Sequence, residues 1–535
     1  MMIRCLTVAL VLATAAAARA QTPPPLLSPL AAPPAAAVTW QAAERAKNPM
    51  ITQSVFVAVD TTLLRALPTF GAAPLGSFGL ALPTGNVTVQ VTSTDVMFGY
   101  RTFRAHVPGQ TSTLVLTLAT SGEVNALIDI ADAQYALVPT PAAGVHVLQV
   151  LDAEQLPATM ACGTDHTHVV HAAGPATQSL LGGGNSDCSL TTLDVMVFYT
   201  PAARVGAGGV AAIETAIVSA IEQANEGHRE SGAPIEFRLV YAAETAFVES
   251  GTSGDLYAFQ NPGDGQMDEV HTLRDDYGAD LMHLIIEPPA AFCGIGFLMG
   301  APSTGFEDYA FAVTVRNCIT NRSFTHECGH NMGCHHDINN ASGTPAFPYS
   351  YGYRTPDNAY RTIMAYAPGT RVNRWSSPNV LYQGYTMGVA GSADNVLSIT
   401  NTCSTVALFR ATQAPRWCQL GGGIAGANGK PTLVGAGTIN QVAALELTIG
   451  NYGSLGVGVL VLGLQAVDVP LFGGTLVPSL DLLVTLVGGG APLQHDASWL
   501  VPMPPGTLVW CQAAFLDATA PQGMSLSDGV RVTRP

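Results

Sequence analysis

HECGHNMGCHHD, residues 326–337, places four histidines, two cysteines and two carboxylates in twelve positions of a chain in which Asp, Glu, Lys and Arg make up only 11% of residues. Residues four apart on an α-helix lie on one face, one turn along the axis, so His326 and His330 point the same way. Their imidazoles can meet one ion at the roughly 2.0–2.1 Å that zinc prefers, and Glu327 between them can reach a ligand of that ion without binding it. Gly333 is the residue type that most readily takes a left-handed backbone, so it can end the helix and bring His336 back to the same ion. The result is HExxHxxGxxH, three neutral nitrogens with a fourth vertex open for water, the arrangement of a catalytic zinc site. Cys328 lies about 200° round the helix from His326 and should face away from the metal. Of the adjacent pair, His336 is favoured over His335 as the third ligand.

Around this stretch the chain divides by composition. At 535 residues it is too long for one core, and its net charge of −16 argues against nucleic acid or an anionic membrane as partner. Residues 1–20, MMIRCLTVALVLATAAAARA, have Arg4, an apolar run and Ala18-Arg19-Ala20 before Gln21, the pattern of a secretory leader. No later segment offers the roughly 20 continuous apolar residues of a membrane span, so no membrane insertion is expected. The location implied is extracellular, with the periplasm or cell surface as alternatives. Residues 21–53 open with QTPPPLLSPLAAPPAAA and read as a Pro/Ala linker that does not pack. Residues 54–173 alternate apolar and polar residues, as in NVTVQVTST and STLVLTLAT, and suit a β-rich propeptide domain or an independent binding domain. Residues 174–189, GPATQSLLGGGNSDCS, read as an exposed, cleavable processing linker.

From residue 190 to 413 the pattern is α/β. LDVMVFY, IEFRLVY, LMHLIIE and FAVTVRN read as strands. VAAIETAIVSAIEQANEGH and the shorter MDEVHTLRDDYG read as helices, and SADNVLSITNTCSTVALFR as a closing helix capped by a serine. Together they predict a twisted sheet backed by helices, with the zinc helix along the floor of a cleft. Residues 414–535 show glycine-punctuated alternation, as in AALELTIGN, LDLLVTLVGGG and TLVWCQAAFLD, and predict a C-terminal β-sandwich with nothing catalytic in it. Two roles stay open for that module: attachment to a surface or polymer, and a spacer or folding aid.

HECGHNMGCHHD followed by RTIMAYAPG resembles the metzincin zinc endopeptidases. Asp337 after the third histidine resembles the reprolysin branch, and DVMVFYTPAAR, FCGIGFLMG and YRTIMAYAPGTR together look most like the bacterial peptidyl-Asp metalloendopeptidases, over roughly residues 190–412. The resemblance implies one catalytic zinc ion on His326, His330 and His336, Glu327 as general base, and Met364 in the turn beneath the metal. It also implies that Gly294, Ile295 and Gly296 form the edge strand that takes an extended protein or peptide substrate by main-chain hydrogen bonds. Calcium is compatible with such a domain, but no site for it can be read. Tyr366, two after Met364, matches the astacin and serralysin pattern, whereas reprolysins have proline there. It is either an oxyanion donor or a packing aromatic. A family preference for cleavage before acidic residues would need a cation, and Arg361, Arg371 and Arg374 flank the methionine turn.

Of ten cysteines, nine remain once Cys5 leaves with the leader, so one stays unpaired. Cys162, in LPATMACGTD, resembles the cysteine switch of metzincin prosegments, in which a thiolate occupies the open zinc vertex. It lacks the basic residue that usually precedes that cysteine, and a disulfide to Cys188 is the alternative. Cys293 and Cys318 flank the approach to the zinc helix and suit a bridge, and Cys418 and Cys511 suit closure of the last domain. The reading is therefore a secreted zinc endopeptidase made as a zymogen. Its rival is a catalytically silent adhesion or binding protein with a vestigial metzincin domain.

Overall fold

The computed structural model describes residues 23–68, 74–157, 162–163, 189–439, 445–453, 456–489 and 492–535. The expected leader, nearly all of the processing linker and Cys188 lie outside the described residues. Three large hydrophobic clusters, one in each part of the chain, organise the rest.

Residues 27–151 build one nine-stranded sheet in which every neighbouring pair runs antiparallel. Alternation drives it: Val89 and Val91, Phe78 and Leu80, and Leu114 and Leu116 all turn to one core. The sheet curls until its ends approach, because Leu26 N–H donates to the Gly79 carbonyl at 2.8 Å. The expectation of an unpacked linker over residues 21–53 is corrected here. Leu27–Pro29 pairs with Ile51–Val59, Ala35–Lys47 is a helix, and Leu26 and Leu27 are buried. The prolines stand at the ends of these elements, where the missing N–H costs nothing, and the alanine run has high helix propensity.

The middle of the chain forms a five-stranded sheet. Its order is Ile235–Glu244, Thr191–Tyr199, Leu281–Ile286, Phe311–Val315 and Gly294–Gly296. The first four strands are parallel; Thr191–Tyr199, Leu281–Ile286 and Phe311–Val315 are largely apolar runs buried on both faces, while the edge strand Ile235–Glu244 alternates with Glu236 and Arg238. Gly294–Gly296 runs antiparallel at the edge. Its start is stapled by the Cys293–Cys318 disulfide. The long helix Val210–Ser231 packs on this sheet through Asn225, which bonds both N–H and carbonyl of Phe237, and meets the nine-stranded sheet through Ser219 and Thr117. The closing helix, Asn395–Val406, is capped by Asp394, whose carboxylate accepts from Leu397 N–H at 3.0 Å. The expected serine cap lies too far upstream to reach the first turn's amides.

From Arg416 onward the described residues form three further sheets. A six-stranded sheet and a three-stranded sheet supply Leu433, Leu447, Leu460 and Phe515 to one core, and Ala466–Leu471 pairs with Gly474–Pro478 as a hairpin. Cys418 is disulfide-bonded while Cys511 is a buried thiol, so the expected pairing of these two is corrected. No single described helix is long and apolar enough to cross a membrane.

Candidate metal centre and cleft

Ser323–Asn331 is the helix that carries His326, Glu327 and His330, and it lies wholly buried. It enters from Arg322, which holds a left-handed backbone (φ 64°), and leaves through Met332 to Gly333 at φ 83°. That turn redirects the chain into the short strand His335–Asp337 and delivers His336 beside the first two histidines. The helix sits close on the methionine turn. A Cβ at Gly329 would stand 2.8 Å from Met364 Sδ and 2.9 Å from the Trp375 ring.

The imidazole tautomers follow from what their outer nitrogens meet. His326 Nδ1 is 2.9 Å from the Ile363 carbonyl oxygen and His330 Nδ1 is 2.9 Å from that of Cys334. A carbonyl only accepts, so each Nδ1 carries the proton and each Nε2 presents a lone pair inward. His330 Nε2 and His336 Nε2 are 3.0 Å apart, and one ligand atom from each of the three histidines and from Cys162 all lie within 4.8 Å of one another. Tetrahedral ligands at zinc distances stand about 3.4 Å apart, so the cluster has the scale of a single zinc site. His326 Nε2 is buried and has no hydrogen-bond partner among the described residues, a cost that an ion between the rings would remove. The residues present therefore fit zinc. Burial, followed by the neighbouring His330, pushes His326 well below the usual imidazole range, which keeps it neutral as a ligand must be.

Glu327 projects beside this cluster. Burial pushes its carboxyl up to about 8, against the opposing pull of a hydrogen bond from Cys162 and of the Arg371 charge. A Cβ at Gly294 would lie 2.5 Å from Glu327 Oε1, so the edge strand can pass over the carboxylate only as glycine. Cys162, a thiol, reaches the site from the N-terminal part: its Sγ–H donates to Glu327 Oε2 at 3.2 Å, and Sγ is 3.4 Å from His330 Nε2. Gly163 N–H donates to the Gly294 carbonyl at 2.8 Å, main chain against the edge strand, as an extended peptide would.

Tyr366 is brought to the site. Its ring centroid is 4.4 Å from that of His336 and its hydroxyl donates to the Cys162 carbonyl oxygen at 3.0 Å. Asp337 secures the turn: its carboxylate accepts from Tyr366 N–H at 3.0 Å and from Arg354 at 3.0 Å. Met364 is buried beneath the helix. Cys328 faces away, toward His283, and His335 turns to the Ser342 carbonyl.

The three arginines separate. Arg374 pairs with Glu230 and lies over the Tyr382 ring, 5.6 Å from its centroid, outside the lining of the cavity beside Glu327. Arg361 and Arg371 line a cavity of about 170 Å³ alongside His326, Glu327 and Tyr366. Neither forms an ion pair with a carboxylate among the described residues; both are held by backbone carbonyls, and Arg371 Nε is buried without a partner. Arg322 escaped the sequence reading altogether. No local pattern marks a cation whose partner, Asp129, is 193 residues away.

A model of metallo-peptidase family M12, Reprolysin_5, matches residues 189–376. A peptidyl-Asp metalloendopeptidase of Xanthomonas campestris pv. campestris is 33% identical over 299 residues, 55% of this chain and 69% of that protein. One of Stenotrophomonas maltophilia is 37% identical over 227 residues, 41% of this chain and 53% of the relative, so the match spans about half of that relative's length. The crystal structure of metalloproteinase-II from Bacteroides fragilis aligns at TM-score 0.36 and 13% identity, covering 64% of this chain and 94% of that one.

Proposed function

The chain belongs to the reprolysin-like M12 metallopeptidases, with the peptidyl-Asp metalloendopeptidases among its relatives, and from that premise we infer that it is a secreted zinc-dependent endopeptidase made in latent form. The observation that carries this is the convergence of three histidine nitrogens beside the Glu327 carboxylate. His326, His330 and His336 hold the metal. Zinc on three neutral imidazoles supplies Lewis acidity that makes water nucleophilic near neutral pH. A substrate chain aligns on the main chain of Gly294–Gly296, as Gly163 does now. Glu327 takes the proton from the attacking water at a carboxylate oxygen and passes it to the leaving amine. Tyr366 stands where its hydroxyl can meet a main-chain oxygen of a chain in the cleft.

Latency rests on Cys162. Its thiol lies among the metal ligands and against the base, so both positions that water must use are taken. The relatives' name joins cleavage to aspartate, and the cavity beside Glu327 supports the same preference here, because Arg361 and Arg371 line it bonded to backbone carbonyls, with no carboxylate ion pair among the described residues. The test is casein hydrolysis by purified full chain, by a Cys162→Ser chain and by processed protein, each with and without a zinc chelator. Processed protein and the Cys162→Ser chain are expected to digest casein, the untouched precursor and chelated samples are not, and Glu327→Ala abolishes turnover while retaining metal. Metal-loaded processed protein that leaves casein intact ends the reading.

A further inference from the structure

One turn of the nine-stranded sheet, Asp129 to Gln134, makes four separate contacts with the catalytic part. The Asp129 carboxylate pairs with Arg322. The Asp132 carboxylate accepts from the Tyr360 hydroxyl at 2.7 Å, the Ala131 carbonyl accepts from the Tyr382 hydroxyl at 3.0 Å, and Gln134 Nε2 donates to the Arg371 carbonyl at 3.0 Å. The turn is shaped for this. Ala131 takes a left-handed backbone (φ 50°), and Gln134 Nε2 also braces Asp129 Oδ1 at 3.1 Å.

What the turn covers is a cation that pairs with no other carboxylate among the described residues. Arg322 is 1% exposed, it pairs with the Asp129 carboxylate, and its Nε and Nη1 are buried with no partner among the described residues. A second guanidinium, Arg371, stands close enough for the two charges to oppose each other. Within a chain of net charge −16, this face concentrates positive charge and phenolic hydroxyls. A guanidinium stripped of its carboxylate but left half-enclosed recruits a new one, since the donors are already oriented.

We propose that the face formed by Arg322, Tyr360, Tyr382 and the Arg371 backbone is a docking surface for an acidic turn, a chain reversal carrying two carboxylates three residues apart, which Asp129 and Asp132 occupy in the full chain and which protein substrates occupy after the N-terminal part is released. The proposal rests on the reading that this part is cut away, and it goes beyond the active site. It places substrate recognition on a surface away from the scissile bond, so that folded proteins bearing such a turn are favoured over short peptides that lack it.

The test uses enzyme processed from the full chain and a cyclised, fluorescent peptide copying residues 126–137. Saturable binding is expected, at least tenfold weaker when the peptide carries Asp129→Asn and Asp132→Asn, and weakened by raising salt from 0.1 to 0.5 M. The native peptide is also expected to slow digestion of an acidic protein more than that of a short peptide substrate. Absence of binding, or equal binding by the two peptides, overturns the proposal while leaving the protease reading intact. If mass spectrometry shows that the chain is never cut between residues 163 and 190, both the processing reading and this proposal fail together.

Discussion

The Tyr366 hydroxyl is spent, in this structure, on a main-chain carbonyl oxygen of Cys162 at 3.0 Å, and its backbone N–H on Asp337. A hydroxyl that already meets a main-chain oxygen, on a ring beside His326 and His336 and a backbone held by Asp337, is better suited to meeting a substrate oxygen than to filling space. Tyr366→Phe is therefore expected to lower kcat about tenfold or more, with zinc content unchanged by metal analysis, the scale of a lost oxyanion donor. Turnover within twofold of wild type would return the ring to packing. Arg371 makes a different kind of claim. Its guanidinium is fixed by the Asn321 and Ala365 carbonyls, at 2.9 and 3.2 Å, which leaves Nε for a ligand. In cleavage of a peptide library by processed Arg371→Gln enzyme, kcat/KM for sites with Asp is expected to fall about 10- to 100-fold relative to sites with Asn. A wild-type enzyme that shows no acidic preference would remove the arginine from that role.

The short strand Gly294–Gly296 decides whether Glu327 and a substrate can share the cleft. Added at Gly294, a methyl group would overlap Glu327 Oε1 at 2.5 Å and Cγ at 2.6 Å, and the carboxylate is enclosed on its other side by Cys162. Gly294→Ala is expected to displace Glu327 and lower kcat/KM about 100-fold, with metal binding kept, since misplacement of a reacting group by about 1 Å costs that much. Isothermal titration with zinc on the apoprotein, beside the kinetics, separates the two effects. At this scale the sequence was most and least informative. The spacing of His326, His330 and His336 with Gly333 foretold the converging rings because helix period and one left-handed turn are local properties. The strands Thr191–Tyr199, Leu281–Ile286 and Phe311–Val315 were equally plain, as runs buried on both faces. Residues 23–53 misled because composition registers prolines and alanines but not what they pack on; Leu26 and Leu27 are buried in a cluster with Phe78, Leu80 and other residues of strands further along the chain. The partners of Arg322 and Asp337 were hidden because no local pattern marks them, and the cap at Asp394 rather than Ser392 turned on a two-residue boundary.

The three parts of the molecule meet around a cavity of about 310 Å³. Asp95 of the nine-stranded sheet lines it with Glu222, Glu236 and Arg238 of the catalytic part and Trp417 beyond. Arg104 and Arg229 also face Asp95, and Arg229 is bonded to Glu222 and Glu226. Burial first, then Glu222, pushes Asp95 up to about 6. Burial, Glu222 and Asp95 together push Glu236 up to about 7, and its Oε2 is buried without a partner. With the N-terminal part undocked, Asp95 would lose its burial against the catalytic part and Glu236 would lose the Asp95 charge, so both are expected to move down toward the ordinary carboxylate range near 4. The sign follows from linkage: a carboxyl whose value is raised in the docked state favours docking fully below its undocked value, and that contribution is lost as pH rises through the docked one. Contact between the two parts is therefore expected to weaken between pH 4 and 7 even while Cys162 keeps its place. Hydrogen exchange of the full chain at pH 5 and pH 8, corrected for intrinsic rate, should show the strand Gly85–Met97 and the start of Ile235–Glu244 less protected at the higher pH. The difference should disappear in an Asp95→Asn, Glu236→Gln chain, where no charge develops. Equal protection at both values in the unaltered chain would show that the arginines offset the carboxylates completely, and that this junction does not respond to acidity.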